Sequence, residues 1–217
     1  MNHPFIKSLK HALTLPLPGS EVQFEMAHLK REKLNKEELN NVNYRKSAVL
    51  LLICKNKNGF FIPLTERHVY NGLHSGQISL PGGKYDEKDF TLEETAFREC
   101  FEEIGLRNEI ELLGALSPVY IPVSKFLVHP FVGYLNVEEI NYSINESEVK
   151  NLIELELNEL IKPELVKQTT VEPVLGLKLK TPYFDVKGKI VWGATAMILN
   201  EFKSILTKET IASFQFR

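Results

Sequence analysis

Apolar positions recur along this chain with two distinct periods, and the changes of period mark its elements. Phe5, Ile6, Leu9 and Leu13 follow helical spacing and predict a short amphipathic helix over 4–13. It caps a core or, as the alternative, lies on a membrane surface. Leu15-Pro16-Leu17-Pro18-Gly19-Ser20-Glu21 ends it, because prolines and glycine interrupt the helical ladder. Residues 29–43 are charged and asparagine-rich, which suits an exposed linker or frayed helix. Residues 47–54 (SAVLLLIC) form an unbroken apolar run, the pattern of a central strand covered on both faces. Asn58-Gly59 signals a hairpin, with Phe60–Thr65 as the returning strand.

Residues 69–84 are rich in glycine, serine and asparagine and predict a long loop of the kind that usually serves function. A helix is expected over 92–104, strands near 110–122, 126–137, 151–161 and 183–192, and a last helix over 194–206. This mixture predicts an α/β class. It divides into residues 1–43, a helix and linker packing on the domain, and residues 44–217, the catalytic domain.

Composition narrows the function. The formal net charge is −2, which supplies no global basic field for nucleic acid or an anionic membrane. Hydrophobic residues make up 43% and charged residues 25%, as in a soluble globular protein. No run approaches the roughly 20 apolar residues of a membrane span, and the N-terminus lacks a secretory pattern, so a cytoplasmic location is expected. Cys54 and Cys100 both sit in apolar contexts and read as buried thiols. The six histidines show no metal-ligand spacing. Homodimerisation is left open.

The chemistry concentrates in the helix over 92–104. Thr91 and Glu94 have capping-box spacing, and Gly105 stands where a left-handed cap would stop the helix. At 100° per residue Ala96, Phe97, Cys100, Phe101 and Ile104 share one face, and Arg98, Glu99, Glu102 and Glu103 the other. A solvated polar face is the plain reading of such a run. Yet carboxylates one turn apart, about 6 Å by helical rise, repel by roughly 3 kcal/mol at an effective dielectric of 20. Among neighbouring cations only Arg98 is near. A divalent cation would relieve the repulsion, and Mg2+ prefers hard oxygen ligands of this type. Leu80-Pro81-Gly82-Gly83 precedes the helix, and paired glycines admit close approach of backbone to another group.

Arg98-Glu99-Cys100-Phe101-Glu102-Glu103-Ile104-Gly105-Leu106 resembles the second half of the Nudix hydrolase box, with Cys100 in place of an aliphatic residue. In the first half, counted from Gly83, the acidic position is Asp89 rather than Glu, and eight residues instead of seven separate it from Arg98. Leu64-Thr65-Glu66-Arg67, Gly76 and Pro81-Gly82-Gly83 resemble the pattern of Nudix enzymes that cleave coenzyme A, with Gly72 where that pattern has its second arginine. Leu17-Pro18-Gly19, Asn145-Glu146-Ser147-Glu148-Val149 and Val191-Trp192-Gly193-Ala194 look similar to the same subfamily.

The resemblance implies a Nudix fold, a mixed β-sheet sandwiched between α-helices. It implies a diphosphatase dependent on Mg2+ or Mn2+, with coenzyme A or a derivative as substrate. Other diphosphates, such as ADP-ribose or a nucleoside triphosphate, are the alternative, and a non-catalytic binding module is a further one. It makes Glu99 and Glu103 principal metal ligands, with Glu102 bound directly or through water. Arg98 then orients a carboxylate, and Gly82 and Gly83 shape the loop beneath the metal. Arg67 holds a substrate phosphate or forms a surface ion pair. Glu148 helps hold the metal or activates water, or is a solvated loop charge. Trp192 is expected to pack against the last helix rather than stack on a base.

Overall fold

A computed structural model describes residues 3–28, 31, 33, 36–68, 76–106, 110–137, 140–174, 177–208, 211, 214 and 216. The chain opens with helices α1 (Pro4–Ala12), α2 (Ser20–Gln23) and α3 (Lys36–Asn40). Strands β1 (Arg45–Asn56), β2 (Gly59–Arg67), β3 (Ile78–Ser79) and β4 (Gly82–Lys84) lead to helix α4 (Leu92–Ile104). Then come β5 (Ile110–Ala115), β6 (Val119–Ile121), β7 (Phe126–Leu135), β8 (Val149–Glu156) and the short helix α5 (Leu157–Leu160). Strands β9 (Val166–Val174), β10 (Leu177–Val186) and β11 (Lys189–Val191) and helix α6 (Gly193–Leu206) complete it.

β1 is the hub of an eight-stranded sheet among the described residues. It runs parallel to β7 and antiparallel to β4 along its first half, and forms the hairpin with β2 through its end. Because side chains alternate along a strand, its apolar run serves two cores. Ala48, Leu50, Leu52 and Cys54 meet Ala96, Cys100 and Ile104 of α4. Leu51 and Ile53 belong to the larger core, which holds α1 and α6. The expected α/β arrangement, a mixed sheet between helices, is therefore present. β2 follows the same rule: Phe60, Ile62 and Leu64 join the larger core, and Phe61 packs on the α4 side.

The apolar face of α1 is buried in that core, with the Phe5 ring 4.9 Å from Phe60 and 5.0 Å from Phe216. The membrane-surface alternative thereby loses its exposed apolar stripe. No helix among the described residues is long and apolar enough to cross a membrane. Both cysteines are buried and unbridged.

Several expected boundaries move. The stretch 69–84 carries β3 and β4, and its residues 69–75, including Gly72, lie outside the described residues. The strand expected over 110–122 is two strands, parted at Leu116-Ser117-Pro118. The strand expected over 151–161 starts at Val149, ends at Glu156 and turns into α5. The linker 29–43 contains α3, while 29–30, 32 and 34–35 lie outside the described residues. β9 was not anticipated; with β10 and β11 it forms a separate three-stranded sheet whose alternation is blurred by lysines and threonines. Glu66 on β2 ties this sheet to the main one through Lys189 of β11 at 3.0 Å, and within the main sheet it also meets Lys150 of β8 at 3.5 Å.

A buried carboxylate joins the N-terminal segment to α6. Glu201 is fully buried and accepts hydrogen bonds from Gly19 N at 3.0 Å, Gln23 Nε2 at 2.8 Å and Ser117 N at 3.1 Å. Glu201→Ala leaves these three donors without their acceptor, a loss expected to cost about 3 kcal/mol or more. Denaturant unfolding should show the loss, and hydrogen exchange should accelerate at the Gly19 and Ser117 amides. Wild-type stability with unchanged protection would refute this anchoring role.

Candidate active site

The site is built where β4 crosses the middle of α4. Thr91 Oγ1 caps the helix by accepting from Glu94 N at 3.1 Å, and Gly105 ends it in the left-handed conformation at φ 72. The Glu94 carboxylate returns to Phe90 N at 2.7 Å rather than to Thr91, so the capping box closes one residue earlier than expected. The cap fixes the helical register and hence the order of charged side chains along α4.

The first two residues of β4 lie so close to their neighbours that a side chain at either would collide with them. A Cβ on Gly82 would fall 2.4 Å from Ala48 O, and one on Gly83 would fall 2.3 Å from the Glu99 carboxylate. Glu99 thus occupies the place where a side chain at residue 83 would stand. It is the α4 carboxylate that lines a cavity of about 750 Å³, together with Gly82, Gly83, Arg67 and Glu148. Ser47, Val49, Ile198 and Trp192 line other parts of that cavity. Trp192, expected only to pack on the last helix, therefore forms part of the wall.

Arg98 organises the carboxylates. It holds Asp89 through two hydrogen bonds of 2.9 Å, Glu99 at 2.8 Å and Glu102 at 3.1 Å. Asp89 also accepts from Thr95 Oγ1 at 2.8 Å and from Asp86 N at 3.3 Å. These bonds, the Arg98 pair above all, hold the Asp89 carboxyl far below the ordinary range despite its burial. Asp89, the acidic residue of the box's altered first half, therefore supplies the anchor for Arg98. Glu102 is half-exposed on the outer side, with Arg98 as its partner, and does not line the cavity.

Glu103 corrects the expected division of helix faces. It is buried, not on a solvated face, whereas Phe97 and Phe101 are only partly buried. Its carboxylate accepts from Thr65 Oγ1 at 3.3 Å and pairs with Arg67 at 3.5 Å. Burial, with Glu99 and Glu148 nearby, pushes its pKa up to about 7, although Arg67 and Thr65 pull against that. Glu99 is raised as well, first by burial and then by Glu102 and Glu148, against the pull of Arg98. Glu148 is thus electrostatically coupled to both. Its loop is tied to the end of α4 by Asn145 N, which donates to Glu103 O at 3.0 Å, and by Ser143 N, which donates to Ile104 O at 3.0 Å.

Among the described residues, no three His, Cys, Asp or Glu side chains stand together as a preformed cation cage. The donor chemistry still fits a hard cation. Glu99, Glu103 and Glu148 are oxygen donors, the Glu148 charge raises the pKa of both Glu99 and Glu103, and a Mg2+-like ion needs few protein carboxylates because waters and phosphate oxygens complete its shell. Thr65 was absent from the sequence-based candidates. Its alternation with Arg67 on β2 was the available signal, since both then face α4. His28 and Arg31 also line the cavity, and nothing in their charged segment pointed there.

The NUDIX domain family model matches residues 44–173. The uncharacterized Nudix hydrolase NudL of Enterobacter sp. (strain 638) is 31% identical over 179 residues, covering 80% of this chain and 87% of that protein. Among solved structures, the Nudix hydrolase RenU from M. smegmatis is similar at a TM-score of 0.52 and 15% identity, over 80% of this chain and 89% of that one. A MutT/nudix family protein from Enterococcus faecalis has a TM-score of 0.51 at 16% identity, over 89% of this chain and 76% of that one. The structural likenesses speak to the fold alone.

The raised pKa of Glu103 makes metal-free stability depend on pH. Below the ordinary value of 4.5 the group is protonated whether folded or unfolded. As pH rises toward about 7 the unfolded chain ionises first and stability falls, by on the order of 3 kcal/mol, and above 7 the loss is constant. In chelator, Glu103→Gln should therefore be more stable than wild type at pH 8.5, with the gap closing by pH 4. A gap independent of pH in chemical denaturation would contradict this assignment.

Proposed function

From the premise that the chain belongs to the Nudix hydrolase family, whose members act on phosphorus anhydrides, we propose that it hydrolyses the diphosphate linkage of coenzyme A or a derivative, using Mg2+ or Mn2+. The products would be 4′-phosphopantetheine and adenosine 3′,5′-bisphosphate. The observation that carries a diphosphatase reading is the Glu99 carboxylate seated over Gly83 at the cavity wall, with Glu103 and Glu148 coupled to it. Coenzyme A is favoured within the class by Leu64-Thr65-Glu66-Arg67, Gly76 and Pro81-Gly82-Gly83.

In this reading Glu99 and Glu103 would hold the cation, and Glu102, half-exposed and paired with Arg98, would contribute through water. When bound, the cation lowers the pKa of a water molecule and neutralises phosphate charge. Arg98 fixes the orientation of Glu99 and is itself held by Asp89. Arg67 is partly exposed and touches Glu103 only at 3.5 Å, so it keeps donors for a substrate phosphate. Glu148, on the loop tied to the end of α4, takes the proton from the attacking water.

A product assay over a panel of diphosphates tests the substrate. Coenzyme A should show a higher kcat/KM than ADP-ribose, activity should vanish in chelator, and Mg2+ or Mn2+ should restore it. A preference for ADP-ribose would reject the substrate assignment, and full activity after complete metal removal would reject the mechanism.

Substitutions separate chemistry from folding. Glu99→Gln and Glu103→Gln should each lower kcat by about a hundredfold or more while the protein stays folded. Gly83→Ala should have a similar effect by displacing the Glu99 carboxylate, and should weaken Mn2+ binding in a direct titration. Wild-type turnover in any of the three would remove that residue from the site.

A further inference from the structure

The cavity has a second basic wall that the reaction as described does not use. His28 and Arg31 come from the segment before β1, outside the matched residues 44–173, yet both line the cavity. The Arg31 guanidinium donates to Tyr120 O on β6 and lies 5.9 Å from the Phe24 ring centroid. Among the described residues no carboxylate pairs with it. Burial lowers its pKa to about 10, which still leaves it cationic at neutral pH. Beside it, His28 Nδ1 is buried with no hydrogen-bond partner among the described residues. A partly buried guanidinium and a ring nitrogen that find no counter-ion or partner among the described residues are both unfavourable unless another group, such as a ligand, satisfies them.

The sheet fixes where this wall stands. Lys84 on β4 pairs with Ser47 on β1, Ser47 with Val128 on β7, and Val128 with Val119 on β6. β4, which carries Gly83 under Glu99, is therefore three strand spacings from β6, which carries the Arg31 contact. At about 4.8 Å per spacing, that is roughly 14 Å. A substrate whose diphosphate lies by Glu99 and Arg67 thus meets Arg31 with another part of the same molecule. The planar guanidinium fork matches phosphate oxygens in a bidentate way, and a neutral imidazole beside it can donate to the same group.

We propose that Arg31, with His28, binds a phosphomonoester on the ribose of the nucleoside diphosphate substrate and so determines specificity at the end of the cavity remote from the carboxylates. This rests on the diphosphatase reading above and adds a substrate requirement to it. The phosphomonoester has two sources, a 3′-phosphate as in coenzyme A or a 2′-phosphate as in phosphorylated ADP-ribose, and the experiment separates them.

Calorimetric titration of the full chain in chelator compares AMP with adenosine 3′,5′-bisphosphate and adenosine 2′,5′-bisphosphate. One bisphosphate should bind at least about tenfold tighter than AMP, the scale of one charge-assisted interaction, and which one it is names the source. Arg31→Gln should abolish that ratio, and Arg31→Lys, which keeps the charge but not the fork, should restore part of it. In kinetics with metal, the ratio of kcat/KM for coenzyme A over 3′-dephospho-coenzyme A, or for ADP-ribose 2′-phosphate over ADP-ribose, should fall by about the same factor in Arg31→Gln, through KM. Equal binding of AMP and both bisphosphates by wild type overturns the proposal without need of any variant. So does an unchanged ratio in Arg31→Gln. Discrimination in binding without turnover of any diphosphate would instead reject the proposed reaction and leave this site standing.

Discussion

The close approach of β4 to α4 is the constraint on which the site depends. Gly83 leaves the space that the Glu99 carboxylate fills, and Gly82 lets the strand lie against the backbone of Ala48 and Val49. Without that contact α4 would sit farther from the sheet. Ala96, Cys100 and Ile104 could then no longer pack on the even-numbered positions of β1. One steric fact thus serves both the core on that side and the placing of a carboxylate at the cavity.

Placing acidic groups there has an electrostatic cost, and the structure distributes it unevenly. Arg98 offsets Asp89, Glu99 and Glu102 together, and the bidentate Asp89 pair keeps the guanidinium from turning elsewhere. Glu103 receives less help, a hydroxyl from Thr65 and a long contact with Arg67, and its carboxyl is accordingly held well above the usual range. A buried group left in this condition is common at functional sites, because the interaction it lacks in the protein is the one a ligand supplies.

The segments on either side of the matched domain complete the enclosure. Glu201 on α6 gathers Gly19, Gln23 and Ser117, so the N-terminal segment, the β5–β6 connection and the last helix are held as one unit. That unit brings His28, Arg31, Trp192 and Ile198 to the same cavity as Glu99. The domain that carries the carboxylates therefore does not by itself form the whole wall against which a substrate would rest.

Local information was enough for the elements with a strong repeating signal. The apolar run of β1, the hairpin into β2, and α4 with Thr91 and Gly105 at its ends all depend on near neighbours in the chain, and so did the grouping of Arg98 with Glu99 and Glu102. Phe97, Phe101 and Glu103 were misplaced because angular position on a helix shows which residues share a side and not what packs there. The fold carries Glu103 under Thr65 and Arg67 of β2 and leaves the two rings at the margin. β9 escaped notice because its pairing with β10 gives it shape while its own side chains alternate poorly. Asp89 and Arg31 depend on contacts with residues brought near by turns and strand order. The sequence by itself determined the acidic helix and the strand on which it packs, since both follow from side-chain periodicity. Only the tertiary structure decided which carboxylate is buried, what anchors Arg98 and which distant cations face the cavity, because those follow from long-range packing that no local pattern encodes.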